Sequence, residues 1–386
     1  MAQVSDVLPP GALPAPTAAG QTREAELKYY TASQFQLMWW KFRKHRLALA
    51  GTIILGLLAF VATFAEFLAP YSAGKRTPEY LNGRPQSLHF VDAEGVFHWR
   101  PFTYALAVRM DPETFQLEIT EDTDEPWPVY FLVQGDEYEI LGRWKTDWHL
   151  FGVQEGHLHL LGTDELGRDL LSRLFYATRT SLTIGVVGLV VAFVLGLAIG
   201  GISGFFGGAV DNAIQRLIEF IRSVPTLPLW MALAAAVPKE WTAEQVYFAI
   251  TILLGMLGWT HLARRVRGKL LSLREEDFII AARVAGSSNA RIITRHMLPS
   301  FLSYIIVDLS ISFPYMILAE TSLSFIGLGL RAPVVSWGVL LQNAQNVQAI
   351  ALYPWLFSPV AFVILAVMAF SFVGDGMRDA ADPYSR

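Results

Sequence analysis

Residues 182–205 read LTIGVVGLVVAFVLGLAIGGISGF, twenty-four consecutive positions without a charge. At 1.5 Å per residue a helix of this length spans about 36 Å, enough to cross a hydrocarbon layer of about 30 Å. Similar windows follow at about Leu47 to Leu68, Ile214 to Val237, Val246 to Trp259, Phe301 to Ile326 and Leu356 to Val373, giving about six crossings. Gly185, Gly188, Gly196, Gly200 and Gly201 stud the quoted run, and residues this small let helix backbones approach closely. The composition agrees: 53% of the 386 residues are hydrophobic and only 17% charged, outside the range of an ordinary soluble domain. The fold class expected is an all-α polytopic membrane protein with a small β-rich insert.

Outside the spans the chain divides by composition. Residues 1–32, rich in Pro, Ala, Gly and Thr, read as a flexible cytoplasmic tail. Residues 33–70 hold an interfacial helix, whose Trp39, Trp40, Lys41, Arg43, Lys44 and Arg46 suit the headgroup level, and the first span. Acidic residues outnumber basic ones about two to one across 71–160. Phe115–Thr120 alternates with period two there, and Val129–Val133 and Tyr138–Leu141 are further strands, separated by a turn at Gly135–Asp136. This stretch is expected as a strand-rich extracytoplasmic insert. Residues 161–181 read as an amphipathic helix lying flat on the membrane, with Asp164–Arg168 and Asp169–Arg173 paired at i,i+4, and 182–386 as the transmembrane core.

Charge orients the spans. Between His261 and Ser300 eight Lys or Arg face three acids, the balance of a short cytoplasmic loop, which puts both termini in the cytoplasm. With no cysteine there is no disulfide and no thiolate ligand or nucleophile. No HExxH spacing and no GxxxxGK[ST] phosphate loop occurs, and His157 and His159 read as surface or packing residues of an exposed segment. The chain thus carries no recognisable nucleotide-hydrolysing motif of its own.

Within that loop, residues 264–300, lies AARVAGSSNARIITRHMLP at 281–299. Asp277 to Ala285 forms one short helix, Gly286 turns the chain, and Ser288 or Asn289 caps a second helix that ends before Pro299. Phe278, Ala281, Ala282 and Ala285 share a face, an apolar ridge in a basic collar suited to a groove on a soluble partner. An ordinary basic connection is the plain alternative. A DNA-reading helix-turn-helix is disfavoured, because tethered ends leave little room for a supporting helix.

The pattern Glu276, Asp277, Phe278, Ala281, Ala282, Arg283, Gly286, His296, Leu298, Pro299 resembles the EAA loop of membrane subunits of bacterial ABC importers, in the form carried by dipeptide and oligopeptide permeases. The usual Glu of that loop falls at Ile280 and the usual Ile at His296. LGTDELGRDLLSR at 161–173, with Gly162, Thr163, Asp164, Gly167, Arg168, Asp169, Ser172 and Arg173, is similar to a segment of the C-type subunits, as are ETSLSFIGLG at 320–329 and GDGMRDAADP at 374–383. The resemblance covers about 35–70 and 145–386, and the stretch between marks a long-insert subgroup.

The resemblance implies a type I ABC importer fold. It also implies a homologous permease as partner in a heterodimer, two ATPase subunits gripping the loop, and a periplasmic solute-binding protein delivering a peptide or related solute. No cofactor is bound directly, ATP-Mg residing in the ATPases, and no nucleic acid is a partner; membrane lipid surrounds the spans. The chain itself is then not an enzyme and lies in the inner membrane. A secondary transporter or channel, working without ATPases, is the alternative. Asp308 and Glu320, with Pro314 between them, are costly residues for a span and stand as candidates for the pathway or the subunit interface. The 161–173 segment is either a structural elbow or a gating contact, and the insert either docks the binding protein or lends support.

Overall fold

A computed structural model describes residues 32–110, 117–140, 143–238 and 240–381. The tail expected over 1–32 therefore lies outside it but for its last residue, as do Phe115 and Gln116 of the expected strand, Leu141, and Asp382 and Pro383 of the terminal motif.

Helix α1 (Gln34–Phe42) starts at a capping box, the Ser33 hydroxyl accepting from the Gln36 N–H at 3.3 Å and the Gln36 amide oxygen from the Ser33 N–H at 2.9 Å. Trp39 and Trp40 on it are exposed. After a turn the chain enters α2 (Arg46–Thr63), capped by His45 Nδ1. Helix α3 runs unbroken from Leu170 to Phe206, 37 residues or about 56 Å. That is nearly twice the thickness of a hydrocarbon layer. The ion pair of Arg179 with Glu66, just past the end of α2, marks how far α3 overshoots: nine residues of it lie beyond this level.

The segment 161–181, expected as one flat amphipathic helix, is divided. Residues up to Asp169 form a turn structure in which Gly162 and Gly167 sit at φ +74° and +69°, a region closed to a right-handed helix. Asp169 then caps α3 by accepting from the Ser172 N–H at 2.7 Å, and the second span begins there.

The third span also differs from a single helix over 214–237. Helices α4 (Gly208–Ser223) and α5 (Thr226–Ala235) meet at 85°. Pro225 has no N–H to donate and holds Val224 extended (φ −88°, ψ 132°), so the helix must break. Helix α6 (Ala243–Leu273), capped by Thr242 and Gln245, continues nearly four turns past the expected end at Trp259. Five described helices are long and apolar enough to cross a membrane, and six crossings result if the bent pair counts as one.

Helix α3 lies against α6 along a seam of small residues spaced by four, from Gly188 through Ala192, Gly196 and Gly200 to Gly204. A Cβ on Gly200 would stand 2.6 Å from the Ala263 carbonyl oxygen and one on Gly204 2.8 Å from that of Arg267. Beside the seam Asp211 of α4 holds Arg267 of α6 through two 2.5 Å hydrogen bonds.

Helix α7 (Asp277–Val284) follows α6. The chain then passes through a wide π turn, Ile292–Met297, and continues helically across Pro299 to Ser300 rather than stopping before it. Pro299 is tolerated because it stands in a new first turn, where an N–H would have no partner. Helix α8 (Leu302–Phe325) contains Pro314. The short α9 (Trp337–Gln342) is buried against α3, α8 and the closing helix α10 (Ser358–Ala381), which packs along α2.

The insert is an antiparallel sheet in the order β1 (His89–Val91), β2 (Phe97–Met110), β3 (Leu117–Ile140), β4 (Trp144–Val153). The two strands expected at 129–133 and 138–141 belong to one long strand. Its first half pairs with β2 and its second with β4, the change falling after Pro126 and Pro128, which cannot donate to a ladder. Gly135–Asp136 is an irregularity between Gln134 and Tyr138 instead of a turn, because the His149 ring fills the space over Gly135. Lys75 and the Ser72 N–H bond the Asp136 carboxylate at 2.9 and 3.2 Å, tying the sheet to the chain leaving α2. Part-burial favours the neutral acid, but those two hydrogen bonds outweigh it and hold Asp136 below the usual carboxylate range.

Candidate functional site

Helix α7 begins after Glu276, whose side chain makes no capping bond. Asp277 stands in its first turn, where the helix dipole favours an anion. The helix ends in a Schellman motif: the Gly286 N–H donates to the Arg283 carbonyl at 3.0 Å and the Ser287 N–H to that of Ala282 at 3.1 Å, with Gly286 at φ +77°. Ser288 caps the next turn by accepting from the Arg291 N–H. Nothing stands within 4 Å of a Cβ added to Gly286. Only the left-handed backbone resists Gly286→Ala, so we expect a loss of about 1 kcal/mol in thermal or denaturant unfolding and an unchanged membrane yield.

The face α7 presents keeps Phe278, Ala281 and Ala285 of the expected ridge but turns Ala282 inward. Ile279 is buried and Ala282 half-buried, both packed with Phe205 of α3, Leu262 and Leu270 of α6 and Ile292. Outward face Phe278 (45% exposed), Ile280 (47%), Ala281, Val284 (84%) and Ala285. Ile280 and Val284, missed in the sequence, are an i,i+4 pair, and Ile280 stands where the EAA loop has its Glu. Arg283 lays its guanidinium 5.9 Å from the Phe205 ring centroid, which steadies the helix on the end of α3. His296 and Leu298 are half-buried beneath the loop and Pro299 is exposed.

At the opposite end of α3, residues 161–173 form a polar clamp. Asp164 is fully buried and accepts from the Leu166 and Arg168 N–H groups (2.9 and 3.0 Å), from Arg168 Nε (2.8 Å) and from Arg173 Nη1. Arg173 thus reaches back to Asp164, not to Asp169 as its spacing suggested. Asp169 takes His159 Nδ1 at 3.1 Å, and of the surface and packing roles open to His159 its burial fits packing. Thr163 donates to the Tyr80 carbonyl and accepts from the Gly83 N–H, and the Ser172 hydroxyl accepts from the Tyr71 N–H at 3.2 Å. Tyr71, its phenol pushed up by burial, accepts from the Leu158 N–H. Two segments distant in sequence, 71–86 and 158–172, are thereby laced onto the start of α3. The glycines are required by close approach: a Cβ on Gly162 would lie 2.5 Å from the Gly83 carbonyl oxygen and one on Gly167 would strike that of Thr77.

The costly residues of α8 are both satisfied inside this chain. Glu320 is fully buried and receives hydroxyls from Ser336 (2.6 Å), Ser324 (2.8 Å) and Ser181 (3.3 Å). Those serines in turn accept from the Val339, Leu330 and Trp337 N–H groups. The carboxyl group therefore fastens α9 to α3 and α8. Asp308 pairs with Arg265 of α6, and Pro314 is buried beside Phe313.

Residues 196–386 match the family of binding-protein-dependent transport system inner membrane components, and residues 33–85 match the N-terminal transmembrane domain of oligopeptide transport permease C. An oligopeptide transport system permease of Bacillus subtilis is 36% identical over 59% of this chain and 72% of its own. Its counterpart in Escherichia coli K12 is 39% identical over 62% and 78%, and a dipeptide transport permease of B. subtilis 36% over 59% and 69%. The chain belongs to the oligopeptide transport permease C family. Among solved structures, the MetNI methionine ABC transporter in inward-facing form aligns with 54% of this permease at 18% identity and a TM-score of 0.43, too low to compare elements one by one.

In this permease the exposed α7 ridge and Glu320 with its partners Ser324 and Ser336 fall in the 196–386 match, whereas Ser181 and the sheet fall in residues 86–195, which neither family model reaches.

Proposed function

We propose that this permease is the C-type membrane subunit of an ATP-driven importer for peptides, built on the type I arrangement and sited in the inner membrane with both termini cytoplasmic. A homologous permease would complete the path, two ATPase subunits would bind below, and a solute-binding protein would deliver from above, where residues 71–160 stand. The carrying observation is the α7 ridge: three large apolar side chains held out at the end of a basic loop, on a helix whose other face is cemented to α3 and α6. Such a patch away from the spans is the mark of a protein interface. ATP-driven closure of the ATPases would push α7, and with it the ends of α3 and α6, as one body.

Val284→Glu tests this without disturbing the interior. The side chain is 84% exposed, so the midpoint of unfolding should stay within about 0.5 kcal/mol of the parent. Retention of ATPase subunits on purification should fall about tenfold, close to 1.4 kcal/mol, and uptake with it. Full retention in Val284→Glu, or transport by this chain reconstituted alone, would overturn the proposal.

A further inference from the structure

A cavity of about 710 Å³ opens at the loop end of the bundle, between the last turns of α6, the first turns of α8 and the end of α10. Its walls carry Arg264, Arg265 and Lys269 from α6 and Arg378 from α10, against the single carboxylate of Asp379. Arg265 is neutralised by Asp308, and Asp379 faces His45 at 3.6 Å. Among the described residues Arg264, Lys269 and Arg378 make no ion pair, and Arg264 Nε is shut off from solvent without a hydrogen-bond partner. The first turn of α8 enters the same cavity, and Phe301 at its N-cap position supplies no side-chain cap. Opposite the cations, Phe301, Tyr304 and Val307 make an apolar wall. The level is that of a membrane surface, since His45 at the start of α2 faces Asp379 and the exposed Trp40 and Trp39 of α1 lie five and six residues before it.

We propose that this cavity binds the phosphate of an anionic phospholipid, the headgroup among Arg264, Lys269 and Arg378 and the glycerol and upper acyl chain along Tyr304 and Val307. Uncompensated cations gathered between helix ends concentrate phosphate, and an adjacent apolar wall selects an amphiphile over a free anion. The site joins α6 and α8, the helices on either side of the α7 loop, so its occupant would steady the part that the proposed function requires to move. The inference takes from that function only that the chain spans a membrane.

The test is native mass spectrometry of the purified importer complex, stripped of lipid and titrated separately with phosphatidylglycerol, phosphatidylcholine and inorganic phosphate. Phosphatidylglycerol should bind at least about tenfold more tightly than phosphatidylcholine, and the triple variant Arg264→Gln, Lys269→Gln, Arg378→Gln should lose that preference while still assembling. Arg378→Gln alone, at an exposed position, should lose part of it and guards against misfolding of the triple variant. Equal binding of the two lipids, an undiminished preference in both variants, or phosphate displacing phosphatidylglycerol at equal concentration would overturn the assignment. Failure of the complex to hold ATPase subunits would sink the importer reading alone, since the lipid preference is read on this chain's own mass.

Discussion

Replacing Asp164 with Ala should lower the stability of the permease by about 3–5 kcal/mol, the cost of leaving a buried charge without its partner. Among the described residues the carboxylate is the one acceptor given to Arg173, which is 2% exposed, and it also orders the Arg168 turn. Water cannot replace it at such a depth. Thermal unfolding in detergent should show the loss, and limited proteolysis between residues 71 and 86 should accelerate, because that segment is laced to the same turn. Asp164→Asn should recover part of the stability, since an amide oxygen still accepts the two backbone N–H groups. An Ala variant as stable as the parent would mean that the clamp holds nothing.

The second large effect concerns two adjacent glycines with opposite surroundings. Gly200→Ala should destabilise by about 2–3 kcal/mol, because the new methyl meets the backbone of Ala263, its oxygen at 2.6 Å and Cα at 2.8 Å, and backbone cannot rotate aside. Helices α3 and α6 must separate along the seam to admit it. At Gly201 the nearest atom to an added Cβ is Ile293 Cγ2 at 3.8 Å, an ordinary contact, so Gly201→Ala should be neutral or gain up to about 1 kcal/mol in helix propensity. Denaturant midpoints measured side by side decide it. Equal effects at the two positions would show that composition of the helix, not contact with α6, governs them.

Hydropathy made most of the transmembrane frame legible, since a run such as 182–205 has few other uses. It could not show where α3 starts, because residues 170–181 carry Arg173 and Arg179 and their charges are absorbed by partners 9 and 113 residues away. It also missed the 85° bend, although Pro225 was in view. The clamp was seen as two i,i+4 ion pairs, a reading that presumes a helix. The positive-φ glycines at 162 and 167 break that presumption, and glycine placement was the available signal. The α7 loop was legible as helix, turn and cap, down to Gly286. Its outward face was legible only in part: Phe278, Ala281 and Ala285 point out as the spacing implies, but Ile279, Ile280, Ala281 and Ala282 put small or apolar residues on both sides of α7, and the packing of Ile279 with Leu262 and Leu270 turns Ile280 outward and Ala282 inward. Glu320 was rightly marked as expensive in a span, but its serine partners come from three places in the chain and no spacing rule joins them.

The length of α3 has a mechanical meaning. A single stiff member of about 56 Å has the clamp at one extremity and Phe205, under Arg283, at the other. Swinging it by only about 5° about its upper anchorage carries the lower extremity sideways by roughly 5 Å, about one helical pitch. In the proposed importer, leverage of that size would carry a stroke between the two sides without any relay of side chains, and it would fail wherever the member is allowed to flex.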